Sequence, residues 1–370
     1  MRVLITGANG FIGRNLHLQL SELPDMDVAS FVRKDSLASL KNKLNNTDAV
    51  IHLAGVNRPK NESEYGEVNQ DLTATLCNIL AGCDKQPWVI FASSIQADLD
   101  NPYGISKRKA EETLRNYSKI NDSRVFIYRL PNVFGKWCRP EYNSVVATFS
   151  HNIANGLPID IHDENVEITL VYIDDVIASF KQALAGDLPK QEFYHVQPSY
   201  QITLGALATQ LYRFRESREN LLTETTGKGL TRALYATYLS YLVPDVFSYS
   251  LTEFCDERGR FVEFLKTNDS GQFSFFTAKP GITRGGHYHH TKSEKFLVVQ
   301  GQALFKFRHM HNGRTHEITV TDDNVRVVET IPGWAHDITN TGKEDLIVLL
   351  WANENFDPDL PDTIGAVLDD

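Results

Sequence analysis

The chain has 370 residues, a formal net charge of −10 from 37 Lys plus Arg against 47 Asp plus Glu, and 42% hydrophobic residues. One core stops growing near ~250–300 residues, so two domains are expected, and the acidic balance without clustered Lys and Arg argues against a nucleic-acid partner. Four cysteines without paired spacing (Cys77, Cys83, Cys138, Cys255) give neither a zinc ribbon nor a redox pair, and no apolar run approaches the ~20 residues that cross a bilayer. These features together read as a cytoplasmic protein with reduced thiols and no membrane contact.

In chain order, the first half alternates short apolar runs with helical spacing, the signature of a parallel sheet with crossover helices. Strands are predicted at Arg2–Ile5, Val28–Val32, Ala49–Leu53, Trp88–Ala92 and Arg124–Tyr128, and helices at Asn69–Ala81 and Ser106–Tyr117. Directly after the first strand comes Gly7-Ala8-Asn9-Gly10-Phe11-Ile12-Gly13. Glycines at this spacing let the chain turn and let its backbone approach a dinucleotide pyrophosphate at a helix N-terminus. Asn9, Phe11 and Ile12 fill the same loop and are counted with Gly7, Gly10 and Gly13 as cofactor-binding.

The second strand ends Ser30-Phe31-Val32-Arg33-Lys34, with cations where an NAD enzyme places an acid for the ribose hydroxyls. Arg33 and Lys34 can pair with a 2′-phosphate, which favours NADP(H), although Asp35 follows directly. The bland alternative is two solvated surface charges.

Tyr103-Gly104-Ile105-Ser106-Lys107 sets a phenol and an ammonium one helical turn apart. A tyrosine with a pKa near ~10 is a poor acid–base catalyst at neutral pH, and a nearby cation is expected to draw it down. Upstream, Ser93 and Ser94 end a predicted strand, where a hydroxyl can hold a substrate carbonyl. Tyr-x-x-x-Lys alone occurs often by chance on an exposed helix face; the glycine loop, serine pair and Tyr/Lys pair in this order do not.

Together these motifs resemble the extended short-chain dehydrogenase/reductase family. His52-Leu53-Ala54-Gly55 is similar to its fourth-strand motif, Asn69 to its helix asparagine, Arg129-Leu130-Pro131-Asn132-Val133-Phe134-Gly135 to its sixth-strand motif, and Tyr172-Ile173-Asp174-Asp175-Val176 to its late structural motif. The resemblance spans roughly residues 1–240. It implies a Rossmann-type doubly wound parallel sheet, Tyr103 as proton donor, Lys107 as its tuner, and Ser94, ahead of Ser93, as the carbonyl anchor. Tyr103 and Lys107 also count as cofactor contacts, with Leu53, Ala54 and Gly55. One departure stands out: Val166-Glu167-Ile168-Thr169-Leu170 lacks the arginine that many members use on a nucleotide diphosphate.

A polar stretch around Gly227 divides the chain, and the domains are placed at residues 1–243 and 250–370. Beyond it, strands are predicted at Phe261–Lys266, Gln272–Lys279, Glu294–Val299, Ala303–His309, Glu317–Val320, Val325–Ile331 and Leu346–Trp351. Many short strands and no convincing helix suggest a small β-barrel or jelly roll. His287 and His289, two apart, would share one face of a strand. With Glu294 and His336 they resemble the two cupin motifs, His-x-His-x4-Glu-x6-Gly and Pro-Gly-x2-His-x3-Asn. Three imidazoles and a carboxylate suit a first-row divalent metal, zinc first, with Fe, Ni or Mn open. The competing reading is a metal-free barrel bearing surface histidines.

Asp256-Glu257-Arg258-Gly259-Arg260-Phe261-Val262-Glu263 is also similar to the opening of the metal-independent 4-keto-6-deoxy-sugar epimerases, and Arg284-Gly285-Gly286-His287 partly matches their catalytic segment. His287 therefore has two roles open to it, ligand or base. If it is a ligand, proton transfer falls to His290, Tyr288 or Lys266.

Across both domains the chain resembles the CapF-type bifunctional capsular polysaccharide enzymes. The distinctive stretches are Leu53–Pro59, Phe134–Pro140, Lys279–Arg284 and Asn355–Pro358. That resemblance implies a UDP-2-acetamido-2,6-dideoxy-4-keto-hexose substrate, C3 epimerisation by the cupin, and NADPH-dependent C4 reduction. The implied product is UDP-2-acetamido-2,6-dideoxy-L-talose, on the route to UDP-N-acetyl-L-fucosamine, made by a homodimer. A plain 4-ketoreductase carrying a non-catalytic cupin is the alternative.

Overall fold

The structure is a computed structural model that describes residues 1–83, 85–186, 188–359 and 361–368. The chain forms two compact units: residues 1–211 with 228–242, and residues 212–227 with the chain from 243 onward. Expectation and structure differ here. The sequence predicts a single crossing between residues 243 and 250, whereas residues 212–227 leave the first unit early and the chain returns to it before crossing finally.

The first unit is built on β1 (Arg2–Thr6), α1 (Phe11–Ser21), β2 (Asp27–Phe31), α2 (Leu37–Leu44), β3 (Ala49–His52), α3 (Leu72–Ala81), β4 (Trp88–Ser94), α4 (Pro102–Asn121) and β5 (Val125–Leu130). Its five strands pair in parallel in the order β2-β1-β3-β4-β5. Alternate side chains of each strand go to opposite faces. Val3, Ile5, Ala49, Ile51 and Ile90 pack with Leu16 and Leu20 of α1, while Leu4, Val50, Val89 and Phe91 pack with Leu40 of α2, Leu76 of α3 and Leu114 of α4. Burial on both faces explains why these strands read as continuous apolar runs.

The unit continues with β6 (Asn132–Phe134), α5 (Val145–Ala154), β7 (Glu167–Tyr172), α6 (Ile173–Ala185), β8 (Tyr200–Thr203), the start of α7 (Leu204–Asn220), whose residues from 212 belong to the second unit, and α8 (Gly229–Leu239). β6, β7 and β8 form a small separate sheet. Asp174 and Asp175 sit in the first turn of α6, where carboxylates favour the positive helix end.

The second unit holds β9 (Leu222–Thr223), β10 (Glu253–Asp256), β11 (Gly259–Thr267), β12 (Gln272–Ala278), β13 (Thr283–Tyr288), β14 (Glu294–Gln300), β15 (Gln302–His309), β16 (Thr315–Thr321), β17 (Val327–Glu329), β18 (Trp334–Asn340), β19 (Leu346–Ala352) and β20 (Ile364–Gly365). One sheet runs β10-β11-β12-β19-β14-β17, with β9 parallel to β11; the other runs β16-β15-β18-β13-β20. Phe276, Phe296, Val298, Phe305, Ile338 and Val348 share a single core. Two antiparallel sheets around one core make this the cupin-type jelly roll expected after the Rossmann-type unit.

Candidate active sites

In the first unit, the turn after β1 is shaped by Gly7 at φ 71, whose amide donates to Phe31 O at 2.9 Å. A Cβ on Gly7 would lie 2.7 Å from Ala54 N, so only glycine fits between these two loops. Gly10 caps α1 without side-chain help, leaving backbone N–H groups free to face a ligand. A cavity of about 500 Å3 opens here, lined by Gly7, Asn9, Gly10, Phe11, Ile12 and Gly13. Leu53 and Gly55 continue the wall, and Ser93, Ser94, Tyr103 and Lys107 complete it. Ala54 is tied in by its amide, which donates to Thr6 Oγ1 at 3.2 Å. The glycine cradle and its bare helix N-terminus fit a dinucleotide, and the fold implies a nicotinamide cofactor.

Arg33 and Lys34 are not among the residues lining this cavity. Arg33 is solvent-exposed, with Nη2 3.5 Å from Glu64 Oε2. Asp35 accepts from Lys43 Nζ at 3.0 Å and from the Val32 amide at 3.1 Å, and these bonds hold its carboxyl below the usual range.

Asn101 Oδ1 accepts from the Gly104 amide at 2.8 Å and Pro102 opens α4, so the helix starts just before Tyr103. Lys107, one turn on, is buried; its ammonium donates to Ala92 O at 2.9 Å and lies 6.0 Å from the Tyr103 ring centre. Burial pulls Lys107 down to about 8, with Glu111 opposing. Tyr103 departs from expectation: burial pushes it up to about 12, only partly offset by its hydrogen bond with Ser94. The ammonium is committed to a backbone carbonyl, and desolvation of the phenol prevails. Ser93 turns away, donating to Glu111 Oε1 at 2.5 Å, which leaves Ser94 facing Tyr103.

Behind this set, Asn69 Nδ2 donates to Ser106 Oγ at 2.9 Å, and Ser106 Oγ donates to Tyr103 O at 2.7 Å. Sequence reasoning missed Arg139, Tyr142, Asn143 and Ser144, which line the same cavity. Arg139 lies in the stretch Phe134–Pro140, singled out as distinctive without a chemical role, and the other three follow it. Backbone at φ 67 in Trp137 and φ 54 in Glu141 shapes that loop, a conformation that side chains other than glycine rarely adopt.

In the second unit, β13 and β18 place His287 opposite His336. A bulge precedes His287, where Gly285 at φ 104 would bring a Cβ within 2.9 Å of Asp337 Cα. His289 lies beyond the end of β13, so it reaches the cluster from a turn rather than from the same strand face as His287. Ligand atoms of His287, His289, Glu294 and His336 all fall within 4.8 Å of one another. His289 Nε2 is 3.2 Å and His336 Nε2 3.4 Å from Glu294 Oε2.

Nδ1 of His336 is buried without a hydrogen-bond partner among the described residues, and Nε2 has only the 3.4 Å approach of Glu294 Oε2. Such a group costs ~1–3 kcal/mol, a penalty that coordination of one nitrogen would relieve. Burial, with His336 alongside, pulls His287 down to about 4, which keeps it neutral and able to ligate. The donor set fits a divalent first-row metal. His290 is exposed, with its ring 5.5 Å from that of Tyr288 rather than within the cluster. Lys266 is drawn into an ion pair with Glu263 at 2.7 Å. Asn340 is structural: its amide donates to Ala278 O and Glu344 O, both at 2.8 Å.

A parallel Rossmann-type sheet with Ser, Tyr and Lys around a dinucleotide cradle, followed by a cupin-type barrel, defines an extended short-chain dehydrogenase/reductase with a C-terminal β domain. The NAD dependent epimerase/dehydratase family matches residues 3–196, and the polysaccharide biosynthesis C-terminal domain matches residues 254–364. The chain is 53% identical over 366 residues to a Pseudomonas aeruginosa UDP-2-acetamido-2,6-beta-L-arabino-hexul-4-ose reductase, covering 99% of this chain and 98% of that one. An Escherichia coli dTDP-4-dehydro-6-deoxyglucose reductase is 26% identical over 255 residues, 55% of this chain and 79% of its own. The crystal structure of the capsular polysaccharide assembling protein CapF from Staphylococcus aureus superposes with a TM-score of 0.93 at 42% identity, covering 99% of this chain and 100% of that one. The chain belongs to the NAD dependent epimerase/dehydratase family, in its CapF-type branch.

Proposed function

We propose that the chain is a bifunctional UDP-sugar enzyme: an NADPH-dependent C4 ketoreductase whose cupin epimerises C3 of the same 4-keto sugar. The observation that carries the reductase is the convergence of Ser94, Tyr103 and Lys107 on the cavity that the glycine loop opens. The similarity to a reductase of a UDP-linked 4-keto sugar supports the substrate class.

The glycine cradle of Gly7, Gly10 and Gly13 would hold NADPH, which when bound would supply the hydride for C4. Ser94 donates a hydrogen bond to the carbonyl oxygen, and Tyr103 delivers a proton to it as it becomes an alcohol. A phenol held near 12 stays protonated at neutral pH, the form an acid catalyst of reduction needs. Lys107 offsets negative charge as the phenol gives up its proton. For the cofactor, Arg33 and Lys34 remain for a 2′-phosphate, while Asp35 is engaged by Lys43.

Lys107 carries its charge below about 8 and loses it above. Since kcat/KM reports the free enzyme, reduction should show a falling limb through about pH 8 and no limb from Tyr103 below about 10. Initial rates from about pH 6 to about 10 check this; a flat profile would count against Lys107 acting as a cation.

In the cupin, a base removes the C3 proton, acidified by the neighbouring ketone, and a group in exchange with solvent protonates the resulting enolate on the opposite face. A divalent metal held by His287, His289, Glu294 and His336 would polarise the ketone. His290 and Tyr288, next in sequence to ligands, are the candidate proton-transfer groups. The proposed product is UDP-2-acetamido-2,6-dideoxy-L-talose, a precursor of UDP-N-acetyl-L-fucosamine for surface polysaccharide. The working unit is taken as a cytoplasmic homodimer; among the described residues no helix is long and apolar enough to cross a membrane.

NMR with the UDP-linked 4-keto sugar in D2O tests both halves. Without NADPH, deuterium should enter at C3; adding NADPH should yield the reduced sugar carrying that label. Reduction without any label would leave a plain 4-ketoreductase with a non-catalytic barrel.

A further inference from the structure

The turn joining β13 to β14 carries His289 and ends on Glu294, yet the amides of His290, Thr291 and Lys292 have no backbone partner among the described residues. Asp362 supplies one. Its carboxylate accepts from the His290 amide at 2.8 Å, the Thr291 amide at 2.7 Å, the Lys292 amide at 2.8 Å and the Thr291 hydroxyl at 3.0 Å. Three successive N–H groups converging on one carboxylate form a nest, a geometry built for an anion. The carbonyl of the same residue receives the Nδ1–H of His289.

Downstream the chain stays on this hairpin. Ile364 and Gly365 pair with Tyr288 and His287, and the Ala366 amide donates to Gly286 O at 2.8 Å. Residues 362–366 thus hold backbone on both sides of His289, and one of them bonds its ring. With Nδ1 donating, a neutral His289 would offer its Nε2 lone pair to a metal shared with Glu294, whose Oε2 lies 3.2 Å from that nitrogen. Metal-ligating histidines ordinarily have their second nitrogen fixed in this way, commonly by a backbone carbonyl.

We propose that Asp362 is the positioning residue that selects the ligating tautomer of His289 and fixes its turn, making the C-terminal segment part of the metal centre. This rests on the metal reading of the four-residue cluster. Its substitution acts by releasing the turn, since the carbonyl contact belongs to the backbone.

The test uses the full chain and zinc competition against a chromophoric chelator, with cobalt(II) absorption as a second readout. The wild type should bind one zinc per chain, and His336→Ala should lose it. Asp362→Ala should weaken zinc by about 10–100-fold and alter the cobalt spectrum, without loss of dinucleotide binding by the reductase unit. Asp362→Asn keeps the shape and one acceptor oxygen but turns an amide toward backbone donors, so it should fall between them; it also serves if the alanine variant folds poorly. Wild-type zinc affinity and an unchanged cobalt spectrum in both variants would overturn the role of Asp362. A wild type that binds no zinc would instead remove the metal reading beneath it.

Discussion

Replacing Tyr103 by Phe should slow C4 reduction by about 10²–10⁴-fold, the range for loss of a positioned general acid. The substitution removes one oxygen from a side chain that is otherwise held by its surroundings. α4 still starts at the Asn101 cap, Ser106 still bonds the Tyr103 carbonyl, and Lys107 still reaches Ala92 O. Nothing in the glycine cradle changes, so NADPH affinity by fluorescence titration should be retained. The loss should appear in kcat, because the missing proton transfer occurs only in the transition state. Solvent deuterium should still enter C3 without NADPH, since that chemistry is assigned to the cupin. Full reduction by Tyr103→Phe would remove the tyrosine from its assigned role.

A second large effect is expected far from any substrate atom. Arg129→Met should destabilise the reductase unit by about 3–5 kcal/mol, because it strands a buried carboxylate. Glu111 is almost fully buried, and Arg129 grips it with two bonds, Nε to Oε1 at 3.0 Å and Nη2 to Oε2 at 2.8 Å. Arg129 also stacks on Phe193, 3.5 Å from the ring centre, and reaches the exposed Asp98 at 2.6 Å. Removing the guanidinium leaves Ser93 as the remaining hydrogen-bond partner, among the described residues, of a charged group cut off from water. Urea unfolding measures the loss, and the double variant Glu111→Leu with Arg129→Met should recover much of it, since an apolar pair strands no charge. Equal stability of Arg129→Met and wild type would show that Glu111 finds another way to be satisfied.

The reductase half was legible because its chemistry is carried by short spacings. The glycine loop and the Tyr103/Lys107 pair need only a strand, a turn and one helical turn to bring their atoms together. Other contacts depend on register. Glu111 sits two turns beyond Tyr103 on the same helix, but its partners Ser93 and Arg129 come from β4 and β5, each 18 residues away. The phenol's pKa was read from one neighbour and came out in the wrong direction, because burial is a property of the folded cavity and has no local signature.

In the barrel, the four clustered residues carried a motif, yet β13 has no apolar alternation to announce it. Two glycines and a bulge let it turn His287 inward, and His289 arrives from beyond the strand end. Asp362 lies 73 positions from His289 and had no signal at all.

The early departure of residues 212–227 from the first unit bears on how the two activities can be separated. β9, only two residues long, pairs with Lys266 and Thr267 of β11. Lys266 N also donates to Leu221 O at 2.8 Å, and Arg218 reaches the Val246 carbonyl. A single cut near residue 243 would therefore send a strand of the barrel away with the reductase and strip an edge from β11. Recombination between relatives meets the same obstacle: a barrel inherited whole needs two junctions, one on each side of residues 212–227, and a third where the chain crosses for good.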